Sequence, residues 1–281
     1  MKHKTNITIL LLLIFLSSHL IGLFVIKNYL PKEIKETGEI IEKQLPLNIE
    51  RPEIEEKTSF FTIFVIIIIS TLIALLLMRL NALRLWKFWF FISIALTMTI
   101  ALNAFIAEYL AIIIAVLAAL IKILKPNVIV NNLSELFIYG GLAAIFVPIL
   151  SLFSISILLI LISIYDFYSV FKSKHMIKLA KFQTKSKVFA GVNIPYKIRE
   201  NKKEKVTYAI LGGGDIGFTL FFSGVILKQF GMLPAVITSF VITLSLLGLF
   251  LYSKKGKFYP AMPVLTLGCF TGLFIVKLFI L

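Results

Sequence analysis

The sequence predicts an all-α protein that crosses a membrane many times. Of its 281 residues, 59% are hydrophobic and only 15% are charged, and the mean hydropathy is +0.98. Soluble domains are about 45–50% apolar and about 25% charged, so a soluble fold would leave too little polar surface to cover this core. The net charge of +15 would suit nucleic-acid binding, but that function does not explain the apolar excess. We therefore expect a multi-pass protein of the cell membrane, with the lipid bilayer and no nucleic acid among its partners.

Metal-ligating residues are sparse in the sequence. The single cysteine, Cys269, excludes a disulfide framework and a multi-cysteine metal cluster. The three histidines, His3, His19 and His175, are too scattered to form a compact metal site. We therefore expect no metal site.

Long apolar stretches predict nine membrane-spanning helices. A helix of about 20 mostly apolar residues crosses the bilayer, and two stretches are long enough to cross it twice. Residues 88–124 must then turn back at 103–108, and residues 136–171 must turn near Pro148 and Ser151. The other spans are expected at 7–26, 60–78, 206–227, 233–252 and 259–281.

The placement of lysine and arginine predicts the orientation of these spans. With the N-terminus in the cytoplasm and the C-terminus outside, the inner segments hold 21 of the 29 basic residues, in agreement with the positive-inside rule. Eleven of them fall in the loop 172–205, where we expect them to attract anionic lipid headgroups. Residues 188–196 are too apolar for a fully solvated loop, so we expect part of them to lie on the membrane or to form a short strand. The chain thus divides into a six-helix part (1–171), this basic cytoplasmic loop, and a three-helix part (206–281).

The only two aspartates, Asp166 and Asp215, both lie inside predicted spans. A carboxylate in the middle of a membrane helix costs about 2.5–3.5 kcal/mol, which indicates a functional role for each. Both lie at a similar distance from the predicted cytoplasmic ends of neighbouring antiparallel spans, so packing can bring them together. Lys122 and Lys277 are expected at span ends, where their amines can reach the interface. Two adjacent carboxyl groups that share one proton can activate water and polarise a carbonyl, as in aspartic proteases.

Three glycines, Gly212, Gly213 and Gly214, directly precede Asp215. Small residues allow membrane helices to approach closely, which is sufficient to explain a single glycine. Three in succession cost about 1 kcal/mol each in helix propensity. A flexible backbone and open space beside Asp215 for an extended peptide would explain why they are present.

Two prolines surround the start of the last span, in the segment Pro260-Ala261-Met262-Pro263. Prolines in a first helical turn are compatible with an ordinary helix start at the interface. They also lack N–H groups and keep the backbone rigid, so the segment is alternatively a fixed backbone edge that faces the aspartates.

The order and spacing of these residues resemble the presenilin and signal peptide peptidase family of GxGD intramembrane aspartic proteases, and most closely the compact archaeal presenilin homologues. The matching residues are Tyr165-Asp166 on the sixth span, Gly212-x-Gly214-Asp215 on the seventh, and Pro260-Ala261-Met262 at the start of the ninth. The resemblance implies that Asp166 and Asp215 are the catalytic pair. It also implies that Tyr165, the three glycines and residues 260–262 shape the site and contact substrate. Met262 stands where the family has leucine, a nearly volume-conserving exchange.

The resemblance also implies an activity and partners. Members of the family cut the transmembrane helices of single-pass proteins or signal peptides within the bilayer, and they need no cofactor. The compact homologues resemble stand-alone enzymes, so we expect action without accessory subunits, with or without self-association. The cytoplasmic position of the loop 172–205 favours the membrane orientation of presenilin over that of signal peptide peptidase.

Other classes of membrane protein also carry catalytic or ion-binding residues within the bilayer. A zinc metalloprotease needs His-Glu-x-x-His and a rhomboid-type protease needs Gly-x-Ser-Gly, and the sequence contains neither. Prepilin and preflagellin peptidases also carry a GxGD aspartate and remain an enzymatic alternative. An ion transporter or cation leak pathway remains a non-enzymatic alternative, because unpaired membrane aspartates beside glycine-broken helices also bind ions.

Overall fold

The computed structural model describes residues 5–33, 40–41, 43–173, 179, 182, 189–200, 203–253 and 259–279. Within these residues the chain forms nine long helices and two antiparallel hairpins. The helices are α1 (Thr5–Tyr29), α2 (Ser59–Arg79), α3 (Leu83–Leu102), α4 (Glu108–Leu124), α5 (Val128–Phe146), α6 (Leu152–Phe171), α7 (Gly213–Phe230), α8 (Met232–Tyr252) and α9 (Met262–Phe279). The strands are β1 (Lys32–Glu33), β2 (Ile40–Ile41), β3 (Gly191–Glu200) and β4 (Lys203–Gly212).

The long helices follow the predicted spans in order. Seven of those in the described residues are long and apolar enough to cross a membrane, and α4 and α7 are outside this group. The two predicted reversals are present: α3 ends at Leu102 before α4 begins at Glu108, and a short 3₁₀ turn at Val147–Ile149 separates α5 from α6. Pro148 lies in that turn, where a residue without an N–H ends the helix.

The prediction of a helical span from residue 206 is wrong at its start, because residues up to Gly212 form β4 and α7 begins at Gly213. β4 pairs with β3, with Val192 opposite Leu211 and Gly191 opposite Gly212. Residues such as Val206, Thr207 and Tyr208 favour a strand, and an apolar run of this length does not by itself distinguish strand from helix. The short strand expected within 188–196 is confirmed by β3.

α5 begins at Val128, earlier than the predicted start near residue 136. The side chain of Asn127 caps the helix by accepting the N–H of Ile129 at 2.8 Å. The earlier start places Glu135 inside the bundle, where it forms an ion pair with Lys122 of α4, both side chains being 2% exposed. The expectation that Lys122 reaches the interface is therefore wrong, because its amine has a buried carboxylate within reach.

α7 lies at the centre of the bundle. It packs against α1, α5, α6, α8 and α9 and also touches both strands of the second hairpin. Its far end is fixed by Lys228, whose amine donates to Glu56 at 2.9 Å, to the carbonyl of Pro148 at 2.8 Å and to the carbonyl of Leu150 at 3.2 Å. The helix that carries Asp215 is therefore the element around which the others are arranged.

The predicted orientation depends largely on segments that lie outside the described residues. These include residues 1–4, most of 174–188, residues 201–202 and residues 254–258. The cytoplasmic position of the N-terminus and of the basic loops therefore stays a prediction from the sequence.

Close contact between α3 and α5 depends on Gly141. A Cβ atom at this position would lie 1.7 Å from the backbone oxygen of Thr97, whereas one at Gly248 in α8 would meet nothing within 4 Å. We expect Gly141→Ala to lower the free energy of unfolding by about 1–3 kcal/mol or more, because a backbone atom cannot move aside as a side chain can. Gly248→Ala is the matched control and should leave stability unchanged or slightly raised. Thermal unfolding in detergent checks both, and equal melting temperatures for the two variants would contradict the packing described.

Candidate active site

The two aspartates lie on α6 and α7, two helices that pack against each other. Asp166 lies near the end of α6 and Asp215 lies in the first turn of α7. Both side chains are half-buried, and the carboxyl groups are close enough to interact electrostatically. Among the described residues, neither aspartate forms an ion pair with a lysine or arginine. The structure therefore brings together two carboxyl groups that the sequence separates by a loop and a hairpin.

The start of α9 holds Asp166. The backbone N–H of Met262 donates to Asp166 Oδ2 at 3.1 Å, and the backbone of Ala261 lies beside the same carboxylate. The N–H groups of Val264 and Leu265 both donate to the carbonyl of Ala261 at 3.1 Å. The N–H of Met262 comes before any intrahelical acceptor and is therefore free to bond Asp166. The segment 260–262 faces this aspartate with its backbone, while the side chains of Pro260 and Met262 are buried.

Gly212 and Gly214 line Asp215 in different ways. Gly212 is the residue before α7 and its backbone bonds the Asp215 carboxylate. A Cβ atom on Gly212 would lie only 3.1 Å from Asp215 Oδ2. One on Gly214 would meet nothing closer than the ring of Phe218 at 3.6 Å, so this side of the turn is open. The position of Asp215 in the first turn also places its negative charge at the positive end of the helix dipole.

Gly213 lies against both the hairpin and α5. Its N–H donates to the carbonyl of Ala190 at 3.1 Å, just before β3 begins. A Cβ atom on Gly213 would lie 2.6 Å from the hydroxyl oxygen of Tyr139. The space that a side chain at this position would fill is therefore occupied by α5.

Tyr165 lies beside Asp166 but is turned towards α2. Its hydroxyl lies near the side chain of Thr71, where α6 packs against α2. On the other side of α6, the hydroxyls of Ser163 and Thr266 are 2.8 Å apart and connect α6 to α9. These contacts hold the end of α6 that carries Asp166.

A buried polar chain on the far side of Asp215 was not identified from the sequence. The Thr219 hydroxyl donates to the backbone oxygen of Asp215 at 2.6 Å. His19 of α1 lies with Nε2 3.0 Å from that hydroxyl and Nδ1 3.2 Å from the hydroxyl of Ser239. Two features of the sequence could have indicated this polar chain. Thr219 follows Asp215 by one helical turn, and His19 is a lone histidine inside a span.

The polar face of α5 was also missed, because the sequence placed its first turns in a loop. Asn131 donates to the carbonyl of Gly191 at 3.0 Å. Asn132 donates to the carbonyl of Asn193 at 2.9 Å and accepts the N–H of Asn193 at 3.1 Å. α5 therefore holds β3 in place beside the glycines of α7.

A protein-family model described as signal-peptide peptidase, presenilin aspartyl protease matches residues 57–280. The chain belongs to this family. The matched region contains both aspartates, the three glycines and the segment 260–262, and the membrane helices agree with an aspartic endopeptidase that works within the bilayer. Of the interpretations that the sequence left open, the family match supports the intramembrane protease.

Solved structures share the fold of this family member. A structure of a presenilin family intramembrane aspartate protease in a C222 crystal form is 19% identical, with a TM-score of 0.65 over 96% of this chain and 98% of the other. A second structure so described, in a P2 form, is 18% identical, with a TM-score of 0.62 over 95% and 96% of the two chains. No curated protein sequence matches the chain.

The hydrogen bond from Met262 to Asp166 can be tested by removing its donor. Met262→Pro lacks the N–H but fits a first helical turn, whereas Met262→Ala keeps the N–H and removes the buried side chain. We expect Met262→Pro to lower turnover by about 10-fold relative to Met262→Ala, because a charge-assisted hydrogen bond is lost. Met262→Leu, the residue of the family, should behave as the parent. Peptidase assays on the three purified variants check this, and equal turnover in the proline and alanine variants would show that the bond has no role.

Proposed function

We propose that this family member cuts the transmembrane helices of single-pass proteins or signal peptides, with Asp166 and Asp215 as its catalytic pair. The observation that carries the proposal is the pairing of two half-buried carboxyl groups without a cationic partner among the described residues. A neighbouring lysine or arginine would hold both carboxyl groups ionised. In its absence the pair can retain one proton, which is the state that acid–base cleavage of a peptide requires.

The reaction needs one carboxylate and one carboxylic acid. The carboxylate accepts a proton from water as the water oxygen attacks the scissile carbonyl carbon, and the carboxylic acid donates a hydrogen bond to the carbonyl oxygen. The tetrahedral intermediate then collapses when a carboxyl group delivers a proton to the leaving nitrogen and the C–N bond breaks. The pair returns to its starting protonation, so neither a metal nor another cofactor is needed.

The substrate is proposed to approach the open side of the first turn of α7. Tyr165, Gly212, Gly213 and Gly214 lie around the aspartates, and Gly214 leaves space beside Asp215. Pro260, Ala261 and Met262 form the opposite wall. An extended peptide, whose backbone needs room and polar partners, suits such a site better than a closed helix.

The proposed membrane arrangement has nine crossings, a cytoplasmic N-terminus and an external C-terminus in the cell membrane. The order of the helices and the bias of basic residues towards the inner segments support it. The parts 1–171 and 206–281 then supply one aspartate each, and the loop 172–205 joins them on the cytoplasmic side. Because one chain carries both aspartates and the segment 260–262, we propose that it acts without accessory subunits, as a monomer or an oligomer.

Replacing either aspartate tests the catalytic pair. We expect Asp166→Asn and Asp215→Asn each to lower turnover by about 10²-fold or more, because proton transfer contributes that much to such reactions. The assay uses the purified chain alone, in detergent, with a transmembrane-helix reporter. Glu50→Gln, at an exposed acidic residue, is the matched control and should cleave normally. Substantial turnover in either aspartate variant would contradict the pair, and a requirement for added subunits would contradict action alone.

Turnover should depend on pH in a bell-shaped way. Activity rises as the first carboxyl group ionises and falls as the second one does, because only the singly protonated pair is competent. Measuring kcat from about pH 4 to 9 tests this. Thermal unfolding at the same pH values separates titration of the site from loss of the fold. A flat profile with an intact fold would argue against a shared proton.

A further inference from the structure

α5 has a polar face buried inside the bundle. Asn131, Glu135 and Tyr139 follow one another at intervals of four residues and therefore lie on one side of the helix. Each is buried, with exposed fractions of 8%, 2% and 5%. Ionisable and polar groups at such depth are costly and commonly functional, yet none of these residues belongs to the aspartate motifs.

Glu135 is held by two donors. Lys122 of α4 donates to its Oε1 atom and the hydroxyl of Tyr139 donates to its Oε2 atom. The Lys122 amine also lies 5.8 Å from the ring centroid of Phe90. Since both carboxylate oxygens are occupied by donors from different helices, the position of the Tyr139 hydroxyl is fixed relative to α4 and α5 together.

The stability of the fold does not by itself explain such a pair. A buried ion pair is often no more stabilising than apolar side chains of the same volume. Leucine side chains at positions 122 and 135 could fill the same space in the bundle. The role of the Lys122–Glu135 pair is therefore indicated by the contacts that Tyr139, its hydrogen-bond partner, makes with other parts of the bundle.

Tyr139 covers the first turn of α7 on both sides of Asp215. A Cβ atom built on Gly213 would lie 2.6 Å from the tyrosine hydroxyl oxygen and 3.1 Å from its Cε1 atom. One built on Gly217 would lie 3.6 Å from its Cδ1 atom. The ring therefore limits how far the turn that carries Asp215 can move towards α5.

We propose that Tyr139, fixed by the buried Glu135–Lys122 pair, is a positioning residue that sets the place of Asp215 opposite Asp166. This role rests on the proposed catalytic pair. Met262 holds Asp166 from the side of α9, and Tyr139 holds the glycine turn from the side of α5, so the separation of the two carboxyl groups is set from both directions. A displacement of about 1 Å can cost about 10²-fold in rate, which makes such control worthwhile.

The first test adds a methyl group at Gly213 and removes the hydroxyl group of Tyr139, first separately and then together. Gly213→Ala should lower kcat by about 10²-fold, because the new methyl group displaces the turn. Tyr139→Phe should lower kcat by about 10-fold at unchanged KM, because the ring stays but is no longer fixed. The double variant should regain activity over Gly213→Ala, since removal of the hydroxyl takes away the shortest contact of the new methyl group. A double variant that falls to the product of the two single losses would overturn the proposal.

The second test asks whether the Tyr139 hydroxyl needs only a hydrogen-bond acceptor at position 135 or also the negative charge of Glu135. The double variant Lys122→Met/Glu135→Gln keeps an amide oxygen that can accept from the tyrosine hydroxyl, so its kcat should stay within about 3-fold of the parent. The double variant Lys122→Met/Glu135→Leu removes this acceptor, so its kcat should fall by about as much as that of Tyr139→Phe. Glu108→Gln, at an exposed acidic residue that accepts the N–H of Leu47 away from α7, is the control and should not change kcat. Equal kcat in the amide and leucine variants would overturn the proposal.

Rates are expressed per active site, titrated with a tight-binding aspartyl transition-state inhibitor, so that partly unfolded protein does not count as slow enzyme. Asp215→Asn is assayed in parallel. Loss of cleavage in Asp215→Asn with an unchanged kcat in Tyr139→Phe would overturn the positioning role and leave the proposed function standing. A parent that neither cleaves a membrane helix nor binds the inhibitor would overturn both.

Discussion

The structure depends on keeping two carboxyl groups side by side within an apolar protein. A cation placed between them would make burial easier but would remove the shared proton that the proposed reaction needs. The molecule uses partial charges instead: the backbone N–H of Met262 at the start of α9 donates to Asp166, and the first turn of α7 directs its helix dipole at Asp215. Two helix starts therefore meet at the site, because a helix has N–H groups without an intrahelical acceptor only where it begins.

Two groups of buried polar side chains elsewhere in the bundle obey a related constraint. Without water in the hydrocarbon region, each must find a partner inside the protein. One such network runs from Ser239 through His19 and Thr219 to the backbone of Asp215, and the other from Lys122 through Glu135 to Tyr139. The first network ends on the backbone of Asp215, and the second ends on Tyr139, which lies against Gly213 in the same turn of α7. Polar residues that look isolated in the sequence thus form the rigid surroundings of one carboxyl group.

The sequence predicts the helices and the motif segments well, because bilayer thickness fixes the length of an apolar run and Pro148 marks a reversal. It does not predict β4, since an apolar stretch before Gly212 fits a strand as well as a helix. It also does not reveal the pair of Lys122 and Glu135. These residues stand on either side of a turn and look like two end charges until α4 and α5 are placed together. Proximity across helices, which also joins Tyr139 to Gly213, is a property of packing and not of local pattern.

The fixing of α7 at both ends has a mechanical consequence. At one end Lys228 ties the helix to Glu56 and to the carbonyls of Pro148 and Leu150. At the other end Gly213 is bonded to Ala190 and enclosed by Tyr139. Because α7 is held by contacts at both ends, it resists both sliding along its axis and tilting. In the proposed catalytic pair, Asp215 is therefore carried by a helix held at both ends, and a change in the gap between the two carboxyl groups requires movement of α6 and α9.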